Sequence, residues 1–120
     1  MNAIITQLLA DCPGAETEYF ETSAWFAEET KASVKKIIKE YEKHYERRLQ
    51  ALCKILGEPV QTEAEQGDEI ARWYPEAMRA ACWHKDGKTL CLALEQHDPE
   101  TPVAVVLRCL SAEEIAELSA

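Results

Sequence analysis

The feature that most constrains the fold is a helical repeat of apolar residues in the middle of the chain. Its members are spaced mostly three or four residues apart, as one face of an α-helix requires: Val34, Ile37, Ile38, Tyr41, Tyr45, Leu49, Leu52 and Leu56. Gly57 follows the last of them, where a left-handed cap belongs, and Pro59 prevents the helix from resuming. We therefore predict a long amphipathic helix that ends at Leu56.

The start of this helix has two candidate N-caps, Thr22 and Ser23, both of which carry the hydroxyl that caps prefer. Glu28 and Glu29 would then lie in the early turns, where the helix dipole favours acidic side chains. The preceding residues 16–21 are polar and acidic and carry no clear periodicity. We therefore expect a connection there, followed by the helix.

Basic residues are concentrated on the same helix. Residues 31–54 hold eight of the 13 Lys and Arg residues and only three of the 22 acids, a local charge of +5, whereas the rest of the chain carries −14. Five of them form a stripe with a spacing of four residues: Lys31, Lys35, Lys39, Lys43 and Arg47. This basic stripe is either a solvated face or a docking site for acidic segments, for an acidic partner or for nucleic acid. Because the acidic remainder would repel phosphates, we expect no direct nucleic-acid binding.

Strand patterns dominate the second half of the chain. Alternating or β-rich segments cover residues 78–84, 89–96 and 102–110. A capping box at Ser111 and Glu114 starts a short C-terminal helix, and residues 2–10 form a short N-terminal one. We predict an α+β fold, a single domain over residues 1–120. In it the long amphipathic helix packs on a mostly antiparallel sheet of three or four strands, with short N- and C-terminal helices.

A two-residue turn at Asp86-Gly87 sets the register of the first hairpin. Residues whose numbers sum to 173 then face each other, so Cys82 lies opposite Cys91. One sheet face carries large apolar side chains and should receive the long helix. The other carries small and part-polar ones: Ala80, Cys82, His84, Thr89, Cys91, Ala93 and Glu95. Either a terminal helix covers that face or it is exposed for a partner. The third strand is apolar on both sides, which favours a central position, but its register stays open.

The chain shows no pattern typical of an enzyme. His44, His84 and His97 do not form the clustered ligand pairs of a structural metal site, and no glycine-rich phosphate loop is present. The five cysteines are odd in number and lack Cys-x-x-Cys spacing, so we interpret them as buried free thiols. Cys82 and Cys91 are close enough for a disulfide but are expected to stay reduced in the cytosol. We predict no catalytic activity, no cofactor and no bound metal.

The expected location is cytoplasmic. No apolar run approaches the roughly 18 residues that a membrane helix needs. A secretory signal carries a basic residue ahead of its apolar stretch, and residues 1–9 have none. We therefore expect no membrane partner.

Two groups of carboxylates are candidates for partner binding. The first group lies beside Trp73 and Tyr74, in residues 60–69, which we expect to form an exposed connection with a short edge strand. The second group lies near the second hairpin, at Glu95, Asp98 and Glu100. An aromatic anchor ringed by carboxylates is typical of an interface hot spot, although Trp73 would alternatively close the core under Pro75. The predicted partner-binding residues are Glu63, Glu65, Asp68, Glu69, Trp73, Tyr74, Glu95, Asp98 and Glu100.

A family resemblance adds a role to these patterns. The long helix ending in Leu56-Gly57-Glu58-Pro59, the segment Trp73-Tyr74-Pro75-Glu76-Ala77 and the hairpin around Asp86-Gly87 resemble small acidic bacterial immunity proteins over residues 31–110. Such proteins neutralise polymorphic or secretion-system toxins. The resemblance implies tight binding to a cognate toxin, expected to be basic and to act in the cytosol, by occlusion of its active site. A homodimer stays open.

Two other functions fit the same composition. A phage-encoded inhibitor of a host defence complex, of the anti-CRISPR type, would also be small, acidic and free of catalytic motifs. A helix-mediated adaptor or chaperone would instead use the basic stripe to dock an acidic partner. Reversing the charges of Lys35, Lys39 and Lys43 would abolish binding only in the adaptor.

Overall fold

The computed structural model describes residues 1–26 and 30–120. Along the chain the elements are α1 (Asn2–Asp11), β1 (Glu18–Thr22), α2 (Lys31–Leu56), β2 (Gln61–Thr62), α3 (Glu63–Trp73), β3 (Ala77–Lys85), β4 (Lys88–Glu95), β5 (Ala104–Ser111) and α4 (Ala112–Ser119). The described strands form one antiparallel sheet in the order β1-β5-β4-β3-β2. The predicted α+β class and the long helix on the sheet are confirmed, but the sheet has five strands rather than three or four.

The additional strand β1 lies in the stretch that was predicted to be a connection. It pairs with the outer edge of β5, with Glu18 opposite Leu107 and Thr22 opposite Ala104. Phe20 turns inward beneath the guanidinium of Arg48, 4.4 Å from its ring centroid. The strand is an edge strand, and most of its residues are polar, so the sequence carries little β signal there.

Helix α2 begins later than predicted. Its N-cap is Thr30, whose hydroxyl accepts a hydrogen bond from the Ser33 amide at 3.2 Å. The prediction of Thr22 or Ser23 as the cap is wrong, because Thr22 ends β1 and Ser23 hydrogen-bonds Val103 instead. The predicted positions of Glu28 and Glu29 in the early turns lie outside the described residues.

The end of α2 is confirmed at Leu56, and Gly57 caps it with a positive φ of 82°, but its ψ of −165° differs from that of the predicted left-handed cap. Side chains are essentially excluded from this backbone region, so we expect Gly57→Ala to destabilise the fold by about 1–3 kcal/mol. The matched control is Gly67→Ala in α3, where an added Cβ meets open space and a helix gains about 0.5–1 kcal/mol. Urea unfolding of both variants gives the test, and equal effects would contradict the assigned cap geometry.

The sheet separates two apolar layers. Helices α1 and α2 cover one face, where Tyr45 and Leu52 pack on Trp83 and Leu92. The predicted hairpin register is confirmed, including Cys82 opposite Cys91. Strand β5 lies between β1 and β4 and contributes alternate residues to both layers, as its two apolar sides predicted.

The small-residue face is covered, and mainly by α3. Ile70, Trp73 and Tyr74 pack on Ala80, Cys82, Cys91 and Ala93, with Ile115 of α4 at the margin. The predicted connection over residues 60–69 holds the expected edge strand β2 and is largely exposed, but it is not irregular, because residues 63–69 belong to a helix that continues to Trp73. The aromatic residues 73–74, which lean toward a strand by composition, end that helix. The missed signal is the helical spacing of the three large apolar residues. A kink at Gln66 (φ −124°, ψ 37°) interrupts the helix and weakens the pattern.

Candidate partner-binding surface

Helix α3 presents the first group of predicted carboxylates to solvent. Glu65, Asp68 and Glu69 are exposed. Glu63 is half-buried and forms an ion pair with Arg79, which also contacts Glu46 of α2 at 2.8 Å. These two carboxylates raise the pKa of the Arg79 guanidinium, although burial opposes them and is the largest single influence. Glu63 therefore joins α3 to β3, and the other three remain available to a partner.

Helix α4 lies against α3 and extends the same surface. Its exposed carboxylates are Glu113 and Glu117. With Glu65, Asp68 and Glu69 they form what we call the acidic face. Glu114 does not join it, because its carboxylate accepts the Ser111 amide at 2.9 Å and completes the predicted capping box. The Ser111 backbone bond is the main cause that lowers the pKa of Glu114.

The basic stripe lies on the opposite side of the sheet. Lys31, Lys35, Lys39, Lys43 and Arg47 are all exposed on α2. Because α2 packs on one sheet face and α3 and α4 on the other, the sheet lies between most of the stripe and the acidic face, and the two helices approach each other where Arg79 contacts both Glu46 of α2 and Glu63 of α3. Among the described residues, no ion pair joins the stripe to the acidic face.

Trp73 and Tyr74 are core residues in this fold. Their exposed fractions are 7% and 1%. Their rings lie 5.8 Å apart, and the Arg108 guanidinium sits 4.7 Å from the Tyr74 ring centroid. Of the two roles considered for Trp73, its burial supports closure of the core. Trp73 is not accessible as an aromatic anchor for a partner.

Glu95 is also buried and is therefore not accessible to a partner. It is 7% exposed and accepts a hydrogen bond from the Tyr74 hydroxyl under α3. Burial and the neighbouring Glu95 charge raise the pKa of Tyr74, so its hydroxyl keeps the proton that it donates. This pair is an internal polar contact between α3 and β4.

Asp98 and Glu100 lie apart from the acidic face, in the exposed loop between β4 and β5. The loop accepts a hydrogen bond from the Phe26 amide to the Glu100 carbonyl at 2.9 Å. Trp25, next to Phe26, has 67% of its surface exposed. Sequence reasoning overlooked Trp25, and its only sequence signal is a tryptophan outside any apolar period.

The three histidines, which were considered as metal ligands, are dispersed over the fold. His44 contacts the Tyr41 ring with centroids 5.1 Å apart, and His97 lies 4.0 Å from Glu76, whereas His84 is exposed on the hairpin. Over residues 1–26 and 30–120, no group of three or more His, Cys, Asp or Glu side chains is placed to hold a metal ion. In the same residues, none of the helices has the length and apolarity to cross a membrane.

No protein-family model matches the chain, and neither curated proteins nor solved structures gave a significant match.

Proposed function

We propose that this chain is an immunity protein that binds a basic cognate toxin acting in the cytosol and occludes the active site of that toxin. The observation that carries the proposal is the acidic face, five exposed carboxylates on the neighbouring helices α3 and α4, which cover the sheet face opposite the one on which α2 packs. Such a surface binds positively charged enzyme surfaces, of which nucleases are typical.

The separation of charge gives this binding a direction. The chain carries a net charge of −9, which repels acidic proteins, while the acidic face concentrates the field on one side. A basic toxin is therefore steered toward α3 and α4 and away from α2. Steering of this kind raises association rates by about 10–1,000-fold and weakens with salt.

A matched pair of charge reversals tests the proposal. The triple variant Glu65→Lys, Asp68→Lys and Glu69→Lys should slow association by about 10–1,000-fold, because attraction becomes repulsion at exposed positions. The control is Lys35→Glu, Lys39→Glu and Lys43→Glu, which changes three exposed charges on the opposite side. The probe is each neighbouring gene product that arrests growth when expressed alone, and the readouts are growth rescue and association rate.

The two triple variants separate the proposal from its main alternative. Loss of rescue in the α3 variant alone supports the immunity function. Loss in the α2 variant alone contradicts it and favours a helix-mediated adaptor, for which the exposure of the entire basic stripe is the favouring observation. If no neighbouring product is toxic and a multisubunit nucleoprotein complex binds instead, a defence-complex inhibitor replaces the immunity function.

A further inference from the structure

The basic stripe of α2 has no partner in the part of its own chain that the structure describes. All five of its side chains are exposed. Over residues 1–26 and 30–120, none of them forms an ion pair, whereas Arg48 and Arg79, which do, lie outside the stripe. Within these residues, five cations on one side of one helix are therefore left for a second molecule.

The first half of α2 presents apolar surface beside these cations. None of residues 31–44 is buried, and the first buried side chain of the helix is that of Tyr45. Two shallow recesses lie along α2 and share Lys39 and Glu42. The half-buried Ile38 lines one of them. An occupant that fits this surface therefore carries acidic groups together with an exposed apolar side chain.

The acidic face of α3 and α4 has both features. Its five exposed carboxylates equal the stripe in number. Glu113 and Glu117 are four residues apart, as are successive members of the stripe, so charges on both helices repeat about every 6 Å. Leu118, which follows Glu117, is 47% exposed. The chain thus carries a chemical complement of its own stripe, and opposite patches of this kind align two surfaces.

One molecule does not bring these two surfaces together. Helix α2 packs on one face of the sheet, whereas α3 and α4 pack on the other. A pair of copies therefore makes one contact between a stripe and an acidic face, and one surface of each kind stays unused. Contacts between unlike patches of identical chains build open chains unless the rotation closes a ring.

We propose that the acidic face of one copy docks on the basic stripe of a second copy, so that the protein associates head to tail. Charge complementarity carries the inference, which does not rest on the proposed immunity function. The net charge of −9 repels copies at a distance. At physiological ionic strength, however, exposed charges are screened beyond about 8 Å, while side chains in contact still attract each other.

Sedimentation velocity of the whole chain tests the inference, with the cysteines kept reduced. Between about 10 μM and 1 mM protein at physiological salt, the mean sedimentation coefficient should rise steadily, as open-ended association requires. In about 1 M salt the protein should return to a monomer, because the screening length falls to about 3 Å. A monomer at every concentration would overturn the inference and leave the stripe to an acidic partner of another kind. Association that strengthens with salt would also overturn it.

The α3 and α2 triple charge reversals described above identify the two surfaces. Each should raise the dissociation constant of self-association by more than about 100-fold, because like charges then face each other. Reversal of one charge changes the net charge by two units, so the net charge of −9 becomes −3 in the α3 variant and −15 in the α2 variant. If net charge alone governed association, the α3 variant would associate more strongly than the wild type, and that result would contradict the docking.

A mixture of the two variants supplies the rescue. The intact stripe of the α3 variant should bind the intact acidic face of the α2 variant, which gives a one-to-one dimer and shows that both variants are folded. The matched control is Asp98→Lys with Glu100→Lys, two reversals in an exposed loop outside both surfaces, which should leave association unchanged. A mixture that stays monomeric, or a control that loses association, would contradict the assigned contact. The α2 variant should lose self-association and keep growth rescue, so this inference and the immunity function fail separately.

Discussion

Trp73→Ala is expected to lower the free energy of unfolding by about 3–5 kcal/mol. Trp73 is 7% exposed and fills the space between α3 and a sheet face of alanines and cysteines. These small neighbours cannot extend into the volume that the indole leaves, so a cavity remains and the contacts are lost outright. Urea unfolding should show a lower midpoint at an unchanged slope.

Trp25→Ala is the matched control, because the same side chain is removed from a position with 67% exposure. Its stability should change by less than about 0.5 kcal/mol. If instead Trp73→Ala left stability intact and impaired binding to a basic partner, the hot-spot role considered for Trp73 would be restored. The pair of variants thus separates a packing tryptophan from an accessible one.

Tyr74→Phe is expected to destabilise the protein by about 1–3 kcal/mol. The substitution keeps the ring under Arg108 but removes the hydroxyl that donates to Glu95, which is itself 7% exposed. A buried carboxylate that loses its donor bears the full cost of desolvation. Thermal and urea unfolding at neutral pH measure the loss.

Tyr45→Phe should not destabilise the protein, in contrast to Tyr74→Phe. Among the described residues, the Tyr45 hydroxyl is buried without a hydrogen-bond partner, and the side chain is 0% exposed. Its removal therefore leaves stability unchanged or raises it by about 1 kcal/mol, while the ring keeps its place 4.9 Å from the Arg79 guanidinium. Equal losses from both tyrosine variants would contradict the difference in partners that we assign to the two hydroxyls.

The carboxylates show where sequence reasoning about the site succeeds and where it stops. The sequence identifies the acids around α3, but it does not distinguish the exposed Glu65 from Glu95, which lies under Tyr74. Exposure of a carboxylate depends on what packs above it. The same limit explains why the sequence does not show that Trp73 is buried and Trp25 exposed, since aromatic side chains serve cores and interfaces equally well.

The sequence by itself determined the elements whose signals are local. The apolar period and Gly57 define the end of α2, the Asp86-Gly87 turn defines the hairpin register, and Ser111 with Glu114 starts α4, because each feature depends on residues within a few positions. Only the tertiary structure decided the rest. Strand β1 exists as a partner for the free edge of β5, α3 is held by burial of its apolar side, and Cys12 after α1 joins the same apolar layer as Cys109 of β5. These features are stabilised by contacts between distant segments, which local sequence patterns do not record.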